Sequence, residues 1–142
     1  MLTGSYHHTI EQKGRLAIPT AFRKPLGSKP IVTQGIERCL YLLPFNNWSK
    51  TISKLDPSFI SSRDTRNLVR LLSHRASRVD FDSQGRILIP GELKAYALLQ
   101  QKVVVAGSID WVEIWDIAIY NQHMQSIESQ ADSLVESLTQ HE

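Results

Sequence analysis

Two nine-residue stretches of this chain are versions of one another, and they decide its fold. Glu11-Gln12-Lys13-Gly14-Arg15-Leu16-Ala17-Ile18-Pro19 returns 71 residues later as Asp82-Ser83-Gln84-Gly85-Arg86-Ile87-Leu88-Ile89-Pro90. Each copy leads into a short stretch with helical character, at Thr20 to Leu26 and at Gly91 to Leu99. The chain therefore contains two versions of one structural unit.

The similarity between the two halves continues downstream of these stretches. Ile31-Val32-Thr33-Gln34-Gly35 and Leu40-Tyr41-Leu42-Leu43 correspond to Val103-Val104-Val105-Ala106-Gly107 and Val112-Glu113-Ile114-Trp115. We therefore divide the chain into a first unit at 5–47, a helical linker at 48–75, a second unit at 76–119, and a C-terminal helix and tail at 120–142. One unit alone is too small for its burial to offset chain entropy comfortably, so we expect the two to interlock around one core.

Each unit is predicted to be rich in β-structure. Apolar runs of strand length lie at Arg15 to Ile18, Ile31 to Thr33, Leu40 to Leu43, Arg86 to Ile89, Lys102 to Ala106 and Trp111 to Trp115. Asp82 stands three residues before Gly85, which suits a type I turn with a left-handed glycine. Each repeated stretch is therefore predicted to be a β-hairpin with a polar tip, and Pro19 or Pro90 ends its second strand.

Two helices are predicted between the units. Phe45, Trp48, Ile52 and Leu55 recur at helical spacing, with Asn46 or Asn47 as the N-cap. Further on, one helix face carries Arg63, Arg66 and Arg70, while the other carries Leu68, Val69 and Leu72. This basic stripe suits three roles, which are contact with phosphate, exposure to solvent, or pairing with acidic residues of a neighbour.

The C-terminal segment predicts one further helix. Its apolar residues recur in unbroken steps of three and four, at Ile117, Tyr120, Met124, Ile127, Ala131, Leu134 and Leu138. An apolar stripe this narrow suits a single partner element. That element is either the barrel of this chain or a helix of another subunit.

The charge of the chain is strongly divided. The 142 residues carry a formal net charge of only +2, but residues 1–79 hold 13 Lys and Arg against 4 Asp and Glu, and residues 80–142 hold 3 against 10. A basic half of this size attracts polyanions. Alternatively, the acidic half neutralises the basic half within a homo-oligomer, and charge alone does not choose between the two.

No pattern typical of an enzyme, a metal site or a membrane protein stands out. The chain lacks the GxSxG, GxxxxGK[ST], GxGxxG and HExxH motifs, and its histidines have no metal-ligand spacing. The lone Cys39 can form no internal disulfide and is predicted to be a small buried side chain. Without a signal-peptide pattern or an apolar run of about 18 residues, we expect a cytoplasmic protein without cofactors, metals or membrane contact.

The repeated Gly-Arg pairs remain as candidate functional residues. An arginine at the end of a stiff hairpin presents a planar fork of donors, which matches a phosphate or the O6/N7 edge of guanine. A two-stranded ribbon is also narrow enough to enter a DNA major groove. The alternative is that Arg15 and Arg86 pair with Glu11, Asp82 or a carboxylate of the other hairpin and hold the turns together.

The two copies, EQKGRLAIP and DSQGRILIP, resemble the paired SpoVT-AbrB-type units of the MraZ family of bacterial transcriptional regulators. The resemblance covers nearly the whole chain. It implies an α+β, β-rich fold, namely a swapped-hairpin β-barrel built from both repeats, with short helices, an Arg-rich linker helix and a C-terminal helix. It also implies ring-like homo-oligomers, commonly octamers, which bind double-stranded DNA at short direct repeats upstream of the cell-division and cell-wall operon, in the nucleoid.

The resemblance also assigns candidate DNA-binding residues. The motif arginines fall on Arg15 and Arg86, the turn glycines on Gly14 and Gly85, and the basic turn residue on Lys13. Thr3, His7, His8 and Arg23 are added because they lie near the same end of the chain. Glu11 replaces the usual Asp and fits the turn cap less well, and Gln84 stands where a Lys is common. The first hairpin is therefore predicted to be the main DNA contact.

Three hypotheses follow for function. The first is a sequence-specific DNA-binding regulator, which in a head-to-tail ring would read direct repeats. The second is an oligomeric protein-interaction scaffold in which the hairpin arginines are structural. The third, a small enzyme, would need a pocket with a perturbed titratable group.

Overall fold

A computed structural model describes residues 1–53 and 62–139 of the chain. The strands are β1 (Ser5–Thr9), β2 (Arg15–Ala17), β3 (Ile31–Gln34), β4 (Leu40–Leu43), β5 (Ser77–Arg78), β6 (Arg86–Leu88), β7 (Lys102–Gly107) and β8 (Val112–Asp116). The helices are α1 (Thr20–Leu26), α2 (Phe45–Ser53), α3 (Arg63–His74), α4 (Gly91–Tyr96), α5 (Ile117–Ser129) and α6 (Ala131–Thr139). The predicted α+β class is confirmed.

The sheets are built from both halves of the chain. One sheet has six antiparallel strands in the order β1-β7-β8-β4-β3-β5, and β2 pairs with β6 in a second, two-stranded sheet. The two repeats therefore interlock, as expected of units that share one core. Within the described residues the strands form no closed barrel, so the swapped-hairpin barrel stays a prediction.

Both predicted turns are present and each is closed by a backbone hydrogen bond of 2.9 Å, from the N–H of Glu11 to the carbonyl oxygen of Arg15 and from the N–H of Asp82 to that of Arg86. The prediction that the strands of each turn pair with one another as a separate hairpin is wrong. The strands that flank the first turn are β1 and β2, and they pair with β7 and β6 of the second half instead of with each other. In the β2–β6 pair, Leu16 lies opposite Ile87, and both side chains are fully buried. A separate hairpin would leave these apolar residues with one uncovered face, so exchange between the copies is the pairing that buries them.

The core lies between the sheets and the short helices. Ile18 and Ile89 follow the exchanged strands and are buried, and Phe22 and Leu93 add side chains from α1 and α4. A smaller cluster on another part of the molecule joins Cys39, Val104 and Trp115. Cys39 is buried as predicted, and burial raises the pKa of its thiol.

Two predicted helix boundaries are wrong. Helix α2 begins at Phe45, so Asn46 and Asn47 lie inside it and neither is the N-cap; Leu55 lies outside the described residues. Helix α4 ends at Tyr96 instead of Leu99, because the backbone of Leu98 takes a left-handed conformation with a φ of 56°.

Helix α3 has the predicted amphipathic character. It begins after Ser62, whose hydroxyl oxygen accepts a hydrogen bond from the backbone N–H of Thr65. Leu72 is buried, while Arg63 and Arg70 are exposed. The hydroxyl of Thr33 donates to the carbonyl oxygen of Leu72 at 2.6 Å, which attaches this helix to β3.

The C-terminal segment is two helices, not the single unbroken helix that its periodicity predicts. Helix α5 ends at Ser129 with Gln130 as its C-cap, and α6 begins at Ala131. The first residues of α5 pack beside Trp115, whereas every described residue of α6 is exposed. None of the helices in the described ranges is long and apolar enough to cross a membrane.

Candidate nucleic-acid interface

The two repeated turns lie side by side and hold each other's strands. The backbone N–H of Ile18 donates to the carbonyl oxygen of Gly85 at 3.1 Å, and the N–H of Ile89 donates to the carbonyl oxygen of Gly14 at 2.9 Å. The two bonds are equivalent, because Ile18 and Ile89 occupy matching positions in the two copies, as do Gly14 and Gly85. The turns therefore form one surface, on the rigid base of the β2–β6 pair.

Within each turn the backbone geometry is the same. Gly14 donates to the carbonyl oxygen of Glu11 at 2.8 Å, and Gly85 donates to that of Asp82 at 3.0 Å. The φ angles of the two glycines are 93° and 75°. The left-handed turn glycine predicted in the second copy is thus present in both copies, and a residue with a side chain would be strained at either position.

Asp82 organises the second turn. Its Oδ1 accepts hydrogen bonds from the backbone N–H groups of Gln84 at 2.8 Å and Arg86 at 2.9 Å, and its Oδ2 accepts from Nε of Arg86 at 2.8 Å. These bonds, chiefly that from the backbone N–H of Arg86, lower the pKa of Asp82 from 3.8 to about 2. The carboxylate therefore stays charged and keeps the turn closed.

Glu11 has a different role from Asp82, although it occupies the matching position. Its Oε1 accepts a hydrogen bond at 2.6 Å from Nη1 of Arg86, across the boundary between the two turns. No hydrogen bond from the backbone of its own turn reaches its side chain within the described residues. The expectation that the longer side chain would cap less well than Asp agrees with this arrangement.

The two motif arginines are held unequally. Arg86 is bound by two carboxylates, those of Asp82 and Glu11, and these bonds raise its pKa. Within the described residues Arg15 has one ion pair, from its Nη1 to Oδ2 of Asp82 at 3.5 Å, and its side chain is 42% exposed against 27% for Arg86. Arg86 thus has the surroundings of a structural residue, whereas Arg15 keeps most of its donors for a ligand.

Arg15 also opens onto a surface groove of about 490 Å³. The groove is lined by Asp82, Leu88 and Pro90 together with the segment Ser77 to Phe81. A guanidinium at the wall of an open groove is accessible to a ligand. Lys13, at the tip of the same turn, is exposed and forms no ion pair with any residue the structure describes.

Two basic residues of the short helices reach the turn of the other copy. Nε of Arg23 donates to the carbonyl oxygen of Ile18 at 2.7 Å, and its guanidinium lies over Gly85. Nζ of Lys94 donates to the carbonyl oxygen of Gln12 at 3.4 Å. Lys94 was not among the predicted residues, although the 71-residue shift that relates the two turns also relates Arg23 to Lys94.

Comparison with known proteins places these features in a family. A family model described as "MraZ protein, putative antitoxin-like" matches the chain twice, over residues 1–70 and 72–140. Proteins named "Transcriptional regulator MraZ" from Moorella thermoacetica and Thermomicrobium roseum are 39% and 38% identical to this chain over 138 residues. A third, from Halothermothrix orenii, is 36% identical, and in all three cases the alignment covers 97% of this chain and at least 96% of the relative.

The chain belongs to the MraZ family. The double match to the MraZ model divides the chain into two consecutive halves, as the internal repeat does. Each half contains one of the two turns and one of the two basic helix residues described above.

The candidate residues that were added because they lie near the same end of the chain as the first turn differ in where they lie in this MraZ-family structure. His8 lies near Arg23, and burial, together with the charge of Arg23, lowers the pKa of its imidazole. His7 is exposed on the same strand. Thr3 lies beside Gly107, beyond the end of β1 that is opposite the turn. The structure therefore brings Arg23 to the turns, with His8 close enough to feel its charge, and leaves Thr3 away from them.

The described residues contain no group of three or more His, Cys, Asp or Glu side chains that could hold a metal ion. The surface of this MraZ-family chain carries guanidinium and ammonium groups on two interlocked turns.

Proposed function

We propose that this protein is a sequence-specific DNA-binding transcriptional regulator. Its first turn, with Lys13 and Arg15, is the principal DNA contact. The names of its curated relatives support the regulatory part of this proposal. The observation that carries the DNA-binding part is the unequal binding of the two arginines, which leaves Arg15 half-exposed and accessible on a rigid base.

The chemistry of Arg15 suits a nucleic acid. Its 3.5 Å contact with Asp82 is long for a charge-assisted hydrogen bond, so it can be exchanged for a phosphate or a guanine edge at little cost. Lys13 adds a flexible point charge for the DNA backbone. Arg23 and Lys94 place further positive charge beside the turns, and neither forms an ion pair within the described ranges.

Arg86 supports the contact instead of making it. Its bonds to Asp82 and Glu11 join the second turn to the first, so the orientation of Arg15 depends on them. A contact group held by such a support loses less conformational entropy on binding. His7 and His8 remain predicted neighbours of the DNA, and His8 is close to Arg23. Thr3 lies beyond the other end of β1, so we do not place it at the proposed DNA contact.

The proposed target is a set of short direct repeats in the DNA upstream of the protein's own operon, which we expect to contain cell-division and cell-wall genes and to be repressed. One turn per copy offers few contacts, so binding to one repeat is weak. A cyclic homo-oligomer, an octamer by resemblance, would present several turns in the same sense, and linked contacts raise the overall affinity. The protein would then act on the nucleoid, in the cytoplasm.

A second candidate function is an oligomeric protein-interaction scaffold with structural arginines. The two carboxylates on Arg86 favour it for that residue. It differs from the first proposal in what it predicts for Arg15, because a scaffold would bind DNA neither more nor less after this side chain is removed.

A gel-shift titration on the upstream DNA separates the two functions. Wild type, Arg15→Ala and the matched control Arg38→Ala are titrated on one repeat and on several repeats, at two salt concentrations. Arg38 is a suitable control because it lies on another loop, where its guanidinium contacts Tyr96. We expect Arg15→Ala to lose about tenfold or more in affinity and Arg38→Ala to bind like wild type. Equal binding by all three proteins would overturn the DNA-binding proposal.

A further inference from the structure

The C-terminal part of helix α3 carries a cationic groove of about 380 Å³, which lies outside the proposed contact of the first turn with DNA. Five exposed residues line this α3 groove, namely Asn67, Arg70, Leu71, His74 and Arg75. The lining contains no carboxylate, and neither arginine forms an ion pair with a residue that the structure describes. The α3 groove therefore concentrates positive charge on one helix face.

Neutral amide oxygens hold both of these arginines in place. Nη1 of Arg70 donates to Oδ1 of Asn67 at 2.8 Å, and Nη1 of Arg75 donates to Oε1 of the buried Gln34 at 2.7 Å. An amide oxygen orients a guanidinium without cancelling its charge. Arg86 is the contrast, because two carboxylates bind it. Cations that are oriented but not neutralised suit an anionic ligand.

The α3 groove is fixed beside the groove onto which Arg15 opens. The end of α3 is hydrogen-bonded to β3 through Leu72 and Arg75, and β3 pairs with β5. Ser77 of β5 lines the groove of Arg15, and only Ala76 separates it from Arg75 in the chain. The two grooves are therefore neighbours on one rigid surface.

The connecting segment limits how far apart the two cationic sites lie. Asp82, whose carboxylate contacts Arg15, is seven residues beyond Arg75. At about 3.4 Å per extended residue, the Cα atoms of Arg75 and Asp82 are at most about 24 Å apart. Each strand of B-DNA advances by about 3.4 Å per nucleotide, so this span corresponds to about seven base pairs or fewer. A duplex held at Arg15 is therefore long enough to reach the α3 groove with its adjacent backbone.

We propose that the α3 groove binds the phosphate backbone of the DNA that flanks the sequence contacted by the first turn, within about seven base pairs of it. Arg70 and Arg75 supply the phosphate contacts. Such contacts carry no sequence information directly, but they raise the affinity and fix the orientation of the protein on the duplex. This inference rests on the proposed DNA-binding function and adds a second, sequence-independent contact to it.

The composition of the α3 groove favours a phosphate chain over a protein segment. Leu71 is the single apolar residue of its lining, whereas the centre of a protein–protein interface is apolar and depleted in charge. Interfaces with DNA are polar and positively charged. The two carboxylates of the connecting segment are paired, Asp80 with Lys29 and Asp82 with Arg86, which limits their repulsion of phosphate.

The test measures the affinity of the full-length protein for two duplexes by fluorescence anisotropy. Both duplexes contain one repeat of the upstream DNA. The short duplex ends at the repeat, and the long one continues for about ten base pairs of unrelated sequence on each side, which exceeds the span to the α3 groove.

Three variants alter the α3 groove. Arg70→Gln and Arg75→Gln each remove one positive charge, and Asn67→Asp keeps both arginines but places a carboxylate against Arg70. Arg38→Gln is the matched control, because Arg38 lies on another loop and contacts Tyr96. All four substituted side chains are exposed, so circular dichroism and thermal unfolding should resemble those of wild type.

We expect wild type and Arg38→Gln to bind the long duplex several-fold more tightly than the short one. Each of the three α3 variants should lose most of this gain. On the long duplex, Arg70→Gln and Arg75→Gln should each make the log–log salt slope shallower by about 0.9. On the short duplex all of these variants should bind like wild type, because the α3 groove then has no DNA to contact.

Several results would overturn the inference. One is a wild type that binds both duplexes equally, and another is an undiminished gain from the flanking DNA in all three α3 variants. Equal losses by these variants on both duplexes would also contradict a contact with flanking DNA. Altered sedimentation velocity of the α3 variants without DNA would assign the groove to a protein partner instead.

The proposed function is tested separately on the short duplex. Arg15→Ala should bind this duplex more weakly than wild type, whatever the flanking DNA contributes. A weaker Arg15→Ala together with no gain from the flanks would leave the first turn as the DNA contact and reject the α3 groove alone. Wild-type binding of the short duplex by Arg15→Ala would instead reject the proposed function.

Discussion

Nη1 of Arg86 lies 2.6 Å from Oε1 of Glu11, although the two residues are 75 positions apart in the chain. The contact joins the turn of one repeat to the turn of the other. Because Asp82 binds the same guanidinium, one arginine fixes the relative position of both turns. The surface that carries Lys13 and Arg15 is therefore a joint product of the two halves, and neither half would form it alone.

The first prediction concerns the unequal roles of the two arginines in stability. Arg86→Ala should lower the melting temperature by roughly a few degrees, because it leaves two carboxylates close together without their shared cation. Arg15→Ala should lower it less, since the only ion pair that Arg15 forms with a described residue is long and half-exposed. Thermal unfolding followed by circular dichroism measures both. Equal melting temperatures for Arg86→Ala and wild type would show that Arg86 does not hold the turns.

The second prediction concerns acid stability. The pKa of Asp82 is about 2 in the folded protein, whereas an Asp side chain without partners, as in the unfolded chain, has a pKa of 3.8. A carboxyl group whose pKa is lower in the folded than in the unfolded state stabilises the protein at every pH above the unfolded-state pKa. This contribution is lost as the pH falls through the folded-state pKa. Asp82→Asn should therefore melt below wild type at pH 7, and the difference should shrink from about pH 4 downward and vanish near pH 2.

Asp80→Asn is the control for the acid experiment, because it removes a neighbouring carboxylate whose ion pair with Lys29 is long and exposed. Its melting temperature should follow that of wild type across the same pH range. A difference between Asp82→Asn and wild type that stays constant from pH 7 to pH 2 would contradict the role given to the charge of Asp82.

The third prediction concerns the turn glycines. Gly14 has a φ of 93°, and a Cβ at this position would lie 2.9 Å from the carbonyl oxygen of Ile89. Gly27 has a φ of 79°, but no atom lies within 4 Å of the position that a Cβ would take there. Gly14→Ala should lower the free energy of unfolding by about 2 kcal/mol or more, and Gly27→Ala by only about 1 kcal/mol. Chemical denaturation measures the difference, and equal losses would show that the Ile89 contact contributes nothing.

The fourth prediction tests the position of Arg23 through a histidine. Burial first and the charge of Arg23 second lower the pKa of His8. Arg23→Gln should therefore raise that pKa without restoring it fully to 6.5, because burial persists. An NMR titration of the imidazole measures it, with Lys24→Gln as a control for an adjacent charge. An unchanged pKa in Arg23→Gln would place the guanidinium elsewhere.

Local sequence patterns predicted most of the elements but not their partners. The strand at Arg15 to Ile18 was predicted from its apolar run. The second turn was predicted from the spacing of Asp82 and Gly85, and the repeat extends that prediction to Gly14. That β2 pairs with β6 depends on burial of Leu16 against Ile87, a contact between distant positions that local periodicity does not report. The break at Gln130 was missed for a related reason, since the apolar period runs through it unchanged.

The candidate site was predicted in part. The repeat itself identified Arg15, Arg86 and the two glycines. Because the side chain of Glu11 is one methylene longer than the usual Asp, Glu11 was predicted to be the weaker cap. The difference between the arginines was not predictable, because it depends on which carboxylate each guanidinium reaches after the strands exchange. Lys94 was overlooked although the same 71-residue shift that relates the turns also locates it.

The most direct test of the central claim is the salt dependence of binding to the upstream DNA, measured by fluorescence anisotropy. Wild-type affinity should fall steeply as salt rises, and Lys13→Ala should bind more weakly with a log–log slope that is shallower by about 0.9 for each turn in contact. Arg15→Ala should also bind more weakly at every salt concentration while its melting temperature stays close to that of wild type. A slope near zero in the wild type, or curves for both variants that coincide with it, would contradict the claim that this turn contacts DNA.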